Sequence, residues 1–135
     1  MRVRSEISKK NKYWLDKDRY YELKHFCLQY PTWKEAYYSL DGYFARATNE
    51  HVDGGELPDP TERIAEARYS FYKRMSMVEE AAAETCLELK DYILVGVTTG
   101  VSYDFLRLNC GVPCCKDVYY ELYRKFFWIL SRKRQ

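Results

Sequence analysis

Apolar positions recur at steps of three and four along most of this chain, the period of helices buried on one face. Over residues 16–30, Tyr20, Leu23, Cys27 and Tyr30 form one such stripe. Pro31 has no amide to continue a ladder, so it ends that helix. Thr32 with Glu35 three residues on makes a capping box, predicting a short helix over 33–40 that stops near Gly42. The strongest helix start is Asp59-Pro60-Thr61-Glu62, with an Asp cap, Pro at the first helical position and an acid in the first turn. Behind it Ile64, Ala67, Phe71, Met75, Val78 and Ala82 mark a steady stripe, opposite Glu66, Lys73, Glu80 and Glu84. A helix over residues 60–86 would be about 40 Å long. Its apolar steps drift without sustained heptads, so it reads as a spine before it reads as half of a dimer seam.

Residues 87–99 place Leu89, Tyr92, Ile93, Gly96 and Val97 on one face, with Gly100 as the stop. The Ile93-Leu94-Val95-Gly96-Val97 run is also strand-like, but no other segment offers it a pairing partner. Ser102 is a natural N-cap, and Phe105 and Leu108, three apart, are expected on the inner face of the short helix it opens. Residues 109–113 break that helix: Gly111 can take positive φ, and Pro113 cannot extend a ladder. Cys114 or Cys115 opens the last helix, with Asp117 in its first turn. Val118, Leu122, Phe126 and Ile129 are expected inside it, and Lys116, Tyr120, Arg124 and Lys125 outside. Phe127 and Trp128 widen the apolar surface enough to meet the N-terminal helices or a second subunit.

The pattern therefore predicts an all-α helical domain over residues 1–135, with a long central helix and a C-terminal trihelical helix-turn-helix unit. Its parts are an N-terminal helical pair (1–44), a loop (45–58), the spine (59–86) and the helix-turn-helix-like unit (87–135). A short helix, a Gly-containing turn and a second helix is the helix-turn-helix layout. An αα-corner kept only for packing has the same layout.

Composition adds a compartment and an asymmetry. At 135 residues, 17% of them aromatic, the chain can fill one core and is not disordered. No apolar run of about 18 residues is present, and Met-Arg-Val-Arg-Ser-Glu has no apolar core behind it to make a secretory signal. Five cysteines without regular spacing fit a reduced, cytoplasmic protein. Net charge is +2 overall but divides unevenly. Residues 1–34 hold nine Lys/Arg against four Asp/Glu (+5), 35–99 six against thirteen (−7), and 100–135 seven against three (+4). Basic ends of this kind can meet a polyanion. Residues 1–12, with Arg2, Arg4, Lys9, Lys10 and Lys12, read as a frayed arm. Trp14 and Trp33 read as packing anchors, and the pairs Tyr20-Tyr21 and Tyr37-Tyr38 each place one ring inward and one at a rim.

No catalytic constellation stands out, and an enzyme is not expected. Cys110, Cys114 and Cys115 are spaced C-x3-C-C, where a zinc knuckle needs C-x2-C and a second pair. His25 and Cys27, two apart, face different sides of a helix. His51 and Asp53 lack a third ligand, and Asp53-Gly54-Gly55 lacks the Lys of a phosphate loop. Cys114, at a helix start, is expected to have a lowered pKa.

The runs Gly100-Val101-Ser102-Tyr103, Cys110-Gly111-Val112-Pro113-Cys114-Cys115-Lys116-Asp117-Val118-Tyr119-Tyr120 and Tyr123-Arg124-Lys125-Phe126-Phe127 resemble the C-terminal helix-turn-helix of phage-encoded late-transcription regulators. Those regulators are similar to region 4 of sigma factors. Cys114 stands where that family usually has Ser, and its basic pair has slipped to Arg124-Lys125. Tyr13-Trp14-Leu15-Asp16-Lys17-Asp18-Arg19-Tyr20-Tyr21 also resembles uncharacterised prophage proteins of Gram-positive bacteria. The regulator motif covers the last third of the chain. The resemblance implies a prophage or mobile-element transcriptional regulator whose last helix enters the major groove of double-stranded DNA. Cys115, Lys116, Asp117 and Tyr120 would meet base edges. Arg107, Arg124, Arg132, Lys133 and Arg134 would clamp phosphates. RNA polymerase and a second copy in a dimer would be its partners, with no cofactor or metal. The alternative is a phage-related interaction, assembly or DNA-packaging module, similar to a small terminase, with no sequence readout.

Overall fold

The computed structural model describes the backbone at residues 11–49 and 59–135, and side chains at 11–40 and 61–135. The first ten residues of the expected 1–12 arm and the His51–Asp53 loop lie outside these residues. Among the described residues six helices follow in order: α1 Lys17–Leu28, α2 Tyr30–Asn49, α3 Asp59–Thr85, α4 Lys90–Thr99, α5 Tyr103–Cys110 and α6 Lys116–Lys133. No strand occurs among the described residues, and the all-α class holds. The chain forms two compact units, Met1–Gln29 with Met77–Gln135, and Tyr30–Ser76.

In the first unit, α1 packs on α4 and α6, and α4 packs on α5 and α6. The Asp16 carboxylate accepts from the Asp18 amide and starts α1, whose buried side is Tyr20, Leu23, Phe26 and Cys27. The Ile93-Val97 run is helical, with Ile93, Gly96 and Val97 buried. Gly100 (φ 77°) stops α4, and Gly111 (φ 67°) stops α5, in the left-handed region where only glycine is unstrained. Ser102 caps α5 by accepting from the Phe105 amide at 3.2 Å.

Both C-terminal helices are rotated relative to the sequence expectation. In α5 the inward pair is Tyr103 and Leu106, leaving Phe105 and Leu108 exposed. In α6 the buried side is Tyr119, Tyr120, Tyr123, Phe126, Phe127 and Leu130, while Val118 is exposed. The physical reason is aromatic. Treating tyrosine as a rim residue hides a stripe at steps of four, three and four: Tyr119, Tyr123, Phe126 and Leu130. Its rings form a continuous column, Tyr103–Tyr119 (5.7 Å), Tyr119–Tyr123 (6.1 Å) and Tyr123–Phe127 (5.0 Å), met from α1 by Tyr20 on Phe127 (5.3 Å). The phenols of Tyr20 and Tyr123 lie 3.4 Å apart within that core. Burial, then the Tyr20 phenol, pushes the Tyr123 pKa far up, so the Tyr123 ring stays neutral.

The C-terminal end of α6 is tied down by charge. Lys133 Nζ reaches Glu84 (2.5 Å) and Glu80 (3.7 Å) of α3. Its pKa is raised, chiefly by the hydrogen bond to Glu84. A raised lysine stabilises fully below its unfolded pKa and loses that contribution as pH climbs through the folded value. Lys133→Met is therefore expected to lower Tm at neutral pH, with the gap to the parent protein closing in strongly alkaline buffer. A gap that stays constant with pH would contradict this.

In the second unit, α2 begins at Tyr30 with only Gln29 separating it from α1. Pro31 therefore sits in a first turn, where its missing amide costs nothing, instead of ending a helix. Gly42 does not stop α2, which continues to Asn49 and takes up the first residues of the expected 45–58 loop. One interior glycine costs only about 1 kcal/mol against alanine. Trp33 is buried, with the Arg74 guanidinium 5.9 Å from its ring. Tyr37 of α2 lies 6.3 Å from Tyr72 of α3, and the Arg68 guanidinium sits 4.8 Å from the Tyr37 ring. The 27 residues of α3 start and end within one residue of the expected spine.

Candidate nucleic-acid interface

The α5–turn–α6 segment is held by two phenols. The Tyr103 amide, in the first turn of α5, has no intrahelical acceptor; it donates to the Tyr120 hydroxyl at 3.2 Å. The Tyr103 hydroxyl in turn donates to the Cys114 carbonyl at 2.5 Å. Val112 is buried beneath the turn. Tyr103 thus ties the start of α5 both to α6 and to the end of the turn. Tyr103→Phe deletes the bond to Cys114 and is expected to cost about 1 kcal/mol. Faster amide exchange confined to residues 111–116 would accompany that loss.

This arrangement decides where the candidate contact residues stand. Arg107, Cys115 and Lys116 line one open cleft of about 530 Å³, together with Tyr103, Asp104, Val112, Pro113 and Cys114. Asp117 is exposed in the first turn of α6. Tyr120, expected at the solvent face, is instead buried with its hydroxyl occupied by Tyr103. Arg124 is half-buried and pairs with Glu121 at 2.9 Å. The three C-terminal cations form a separate group at the far end of α6, about 25 Å from Lys116 at 1.5 Å per residue. There Arg132 sits 4.8 Å from the Trp128 ring, Lys133 is engaged by Glu84 and Glu80, and Arg134 lies 4.0 Å from the Phe26 ring. The side of α6 opposite its buried stripe runs Asp117, Val118, Glu121, Lys125, Arg132, acidic where it begins and basic where it ends.

The thiols are distributed by burial. Cys115, not Cys114, is the N-cap of α6, and its side chain makes no capping hydrogen bond. The Cys114 pKa is raised, first by burial and then by the neighbouring Cys115 and Cys86 thiols, in place of the expected lowering. Cys114 lies one position ahead of the cap, outside the turn where the helix dipole favours a thiolate. Cys27 is buried and its thiol pushed far up, while His25 on the same helix is exposed. A thiol reagent is expected to modify the exposed Cys110 and Cys115 first and to reach Cys27 only on unfolding. Peptide mapping after brief alkylation checks this. Among the described residues no group of three or more His, Cys, Asp or Glu is placed to hold a metal ion.

Comparison with protein-family models, with curated proteins and with solved structures finds no match to this chain. Among the described residues no helix is long and apolar enough to cross a membrane.

Tyr103 and Tyr120 hold the turn together, and neither role was apparent from local spacing. The one available signal was Tyr103-x-x-Leu106 in register with Tyr119-x-x-x-Tyr123, readable once tyrosine is counted as core.

Proposed function

We propose that this chain is a DNA-binding helix-turn-helix protein, a transcriptional regulator of prophage or mobile-element type, with α6 as its recognition helix. The observation that carries the reading is the cleft at the start of α6, where Arg107 and Lys116 stand together beside the exposed Cys115 and Asp117. Arg107 and Lys116 supply the phosphate-facing charge, while Asp117 accepts from cytosine N4. Tyr120 supports the turn and reads no base. Arg124 and Lys133 already have acidic partners, so affinity rests on few free cations, and a specific complex requires a second subunit or a polymerase. The test is a titration of labelled duplex DNA across salt concentrations. Binding should fall steeply as salt rises, and Lys116→Ala should flatten the logarithmic slope by about 1. Absent or salt-insensitive binding in low salt removes the reading.

A second reading, a protein-interaction or DNA-packaging module, is favoured by one specific feature. Leu108 is 83% exposed and Phe105 and Val118 each 47% exposed on α5 and α6. Apolar side chains on that surface suit a protein partner better than a phosphate backbone. Leu108→Asp separates the two: it abolishes assembly in a packing module and leaves duplex affinity nearly unchanged in a regulator.

A further inference from the structure

In the second unit a group of tyrosines on α2 and α3 stands open to solvent. Tyr69 is 61%, Tyr72 52% and Tyr38 59% exposed. Tyr37 joins Tyr38 to Tyr72, at 5.3 Å and 6.3 Å, and Tyr69 lies one turn before Tyr72 on α3. Exposed tyrosines in one continuous patch are the composition of an interface centre, where a rigid ring buries much area at little entropic cost. Along α3, Glu62, Glu66, Tyr69 and Lys73 follow at steps of four, three and four, so they share one stripe. All four are exposed, and Met75 on the opposite side is buried. Charge on that stripe is ordered: acids come first, then Tyr69, then Lys73 with its ammonium 5.6 Å from the Tyr69 ring.

A stripe that runs from acid through aromatic to base is complementary to itself when reversed. We propose that the chain forms a symmetric dimer through this face, with the two α3 helices antiparallel about a two-fold axis near Tyr69 and Ser70. In that register Glu66 of each copy meets Lys73 of the other, and the Tyr69 rings meet at the centre with Tyr72 and Tyr38 at the flanks. A parallel pairing would set Glu66 against Glu66 and Lys73 against Lys73. Closed two-fold symmetry needs such a self-complementary patch. The ion pairs fix orientation and register; the tyrosine rings supply the buried area. The proposal does not depend on the nucleic-acid reading, and every readout below is made without duplex DNA.

The test is sedimentation equilibrium of the full chain and two charge reversals. The parent protein is a dimer, and Lys73→Glu and Glu66→Lys each raise the dimer dissociation constant by about tenfold or more. An equal mixture of the two variants restores dimerisation, because every contact then joins opposite charges. Tyr69→Ser weakens the dimer without rescue by either partner. All three side chains are exposed, so circular dichroism of the variants stays that of the parent. A monomeric parent, single reversals that dimerise normally, or a mixture that fails to recover would each overturn the proposal. So would a monomer that binds single-stranded oligonucleotide through Tyr69, which would assign the same rings to base stacking.

Discussion

Gly96→Ala is expected to destabilise the protein by about 3 kcal/mol, although alanine is the better helix former. Gly96 is buried on α4 against α6, and a methyl group there falls inside the van der Waals radius of the Tyr119 hydroxyl. The next neighbours, Tyr119 Cζ at 3.3 Å and Leu106 Cδ1 at 3.4 Å, crowd the same space. Nor can the ring swing aside, since Tyr103, Tyr120 and Tyr123 pack around it at 5.7, 5.1 and 6.1 Å. The Tyr119 hydroxyl is itself buried without a hydrogen-bond partner, and burial raises its pKa far above the ordinary phenol value. Removing an unsatisfied buried hydroxyl is neutral or stabilising. Tyr119→Phe alone should therefore leave Tm unchanged or higher, and Gly96→Ala with Tyr119→Phe should recover most of what Gly96→Ala loses. Thermal or urea unfolding of the three variants checks it. Parent-like stability of Gly96→Ala would show that the α4–α6 approach is looser than described.

Arg19→Ala is the second large effect, at about 2 kcal/mol. The Arg19 guanidinium reaches from α1 to the end of α6. Its Nε donates to Ser131 Oγ at 3.1 Å, and one terminal nitrogen donates to the carbonyls of Ser131 (2.9 Å) and Arg134 (2.7 Å). The other terminal nitrogen pairs with Glu22, which orients the fork. The last carbonyls of a helix have no intrahelical donor, so this one side chain satisfies groups that would otherwise depend on water. Arg19→Lys keeps the charge but cannot span the same acceptors, and it should recover less than half of the loss. Ser131→Ala removes one acceptor and costs less than either. Hydrogen exchange at residues 130–134 should accelerate in Arg19→Ala while the centre of α6 stays protected; uniform acceleration would refute a local capping role.

Both effects rest on features of unequal visibility in the sequence. Ser102, Gly100 and Gly111 announced their caps and stops, because each depends on chemistry within a few residues. Asp59-Pro60-Thr61-Glu62 located the start of α3 for the same reason. The phases of α5 and α6 do not show in the pattern, because phenols that look half-polar there become core when stacked in a column. Pro31 suggests a terminator, yet the same missing amide suits a first turn equally well. At the candidate interface, Arg107 and Lys116 line one cleft, whereas Tyr120 is drawn inward and Arg124 and Lys133 are matched with acids. Lys133 meets Glu80 and Glu84 from about fifty residues away, and no count of local charge reveals such a pairing. The Arg19 contact, 112 residues away at Ser131, was equally hidden.

The tie between α1 and the end of α6 has a consequence for biosynthesis. The apolar side of α1 is made before either of the helices that cover it, α4 and α6. Tyr20, Leu23 and Phe26 stay uncovered until those helices follow, and long-range closure of this type is slow and prone to aggregation. A bulky fusion partner joined directly after Gln135 would crowd the very carbonyls that Arg19 must find.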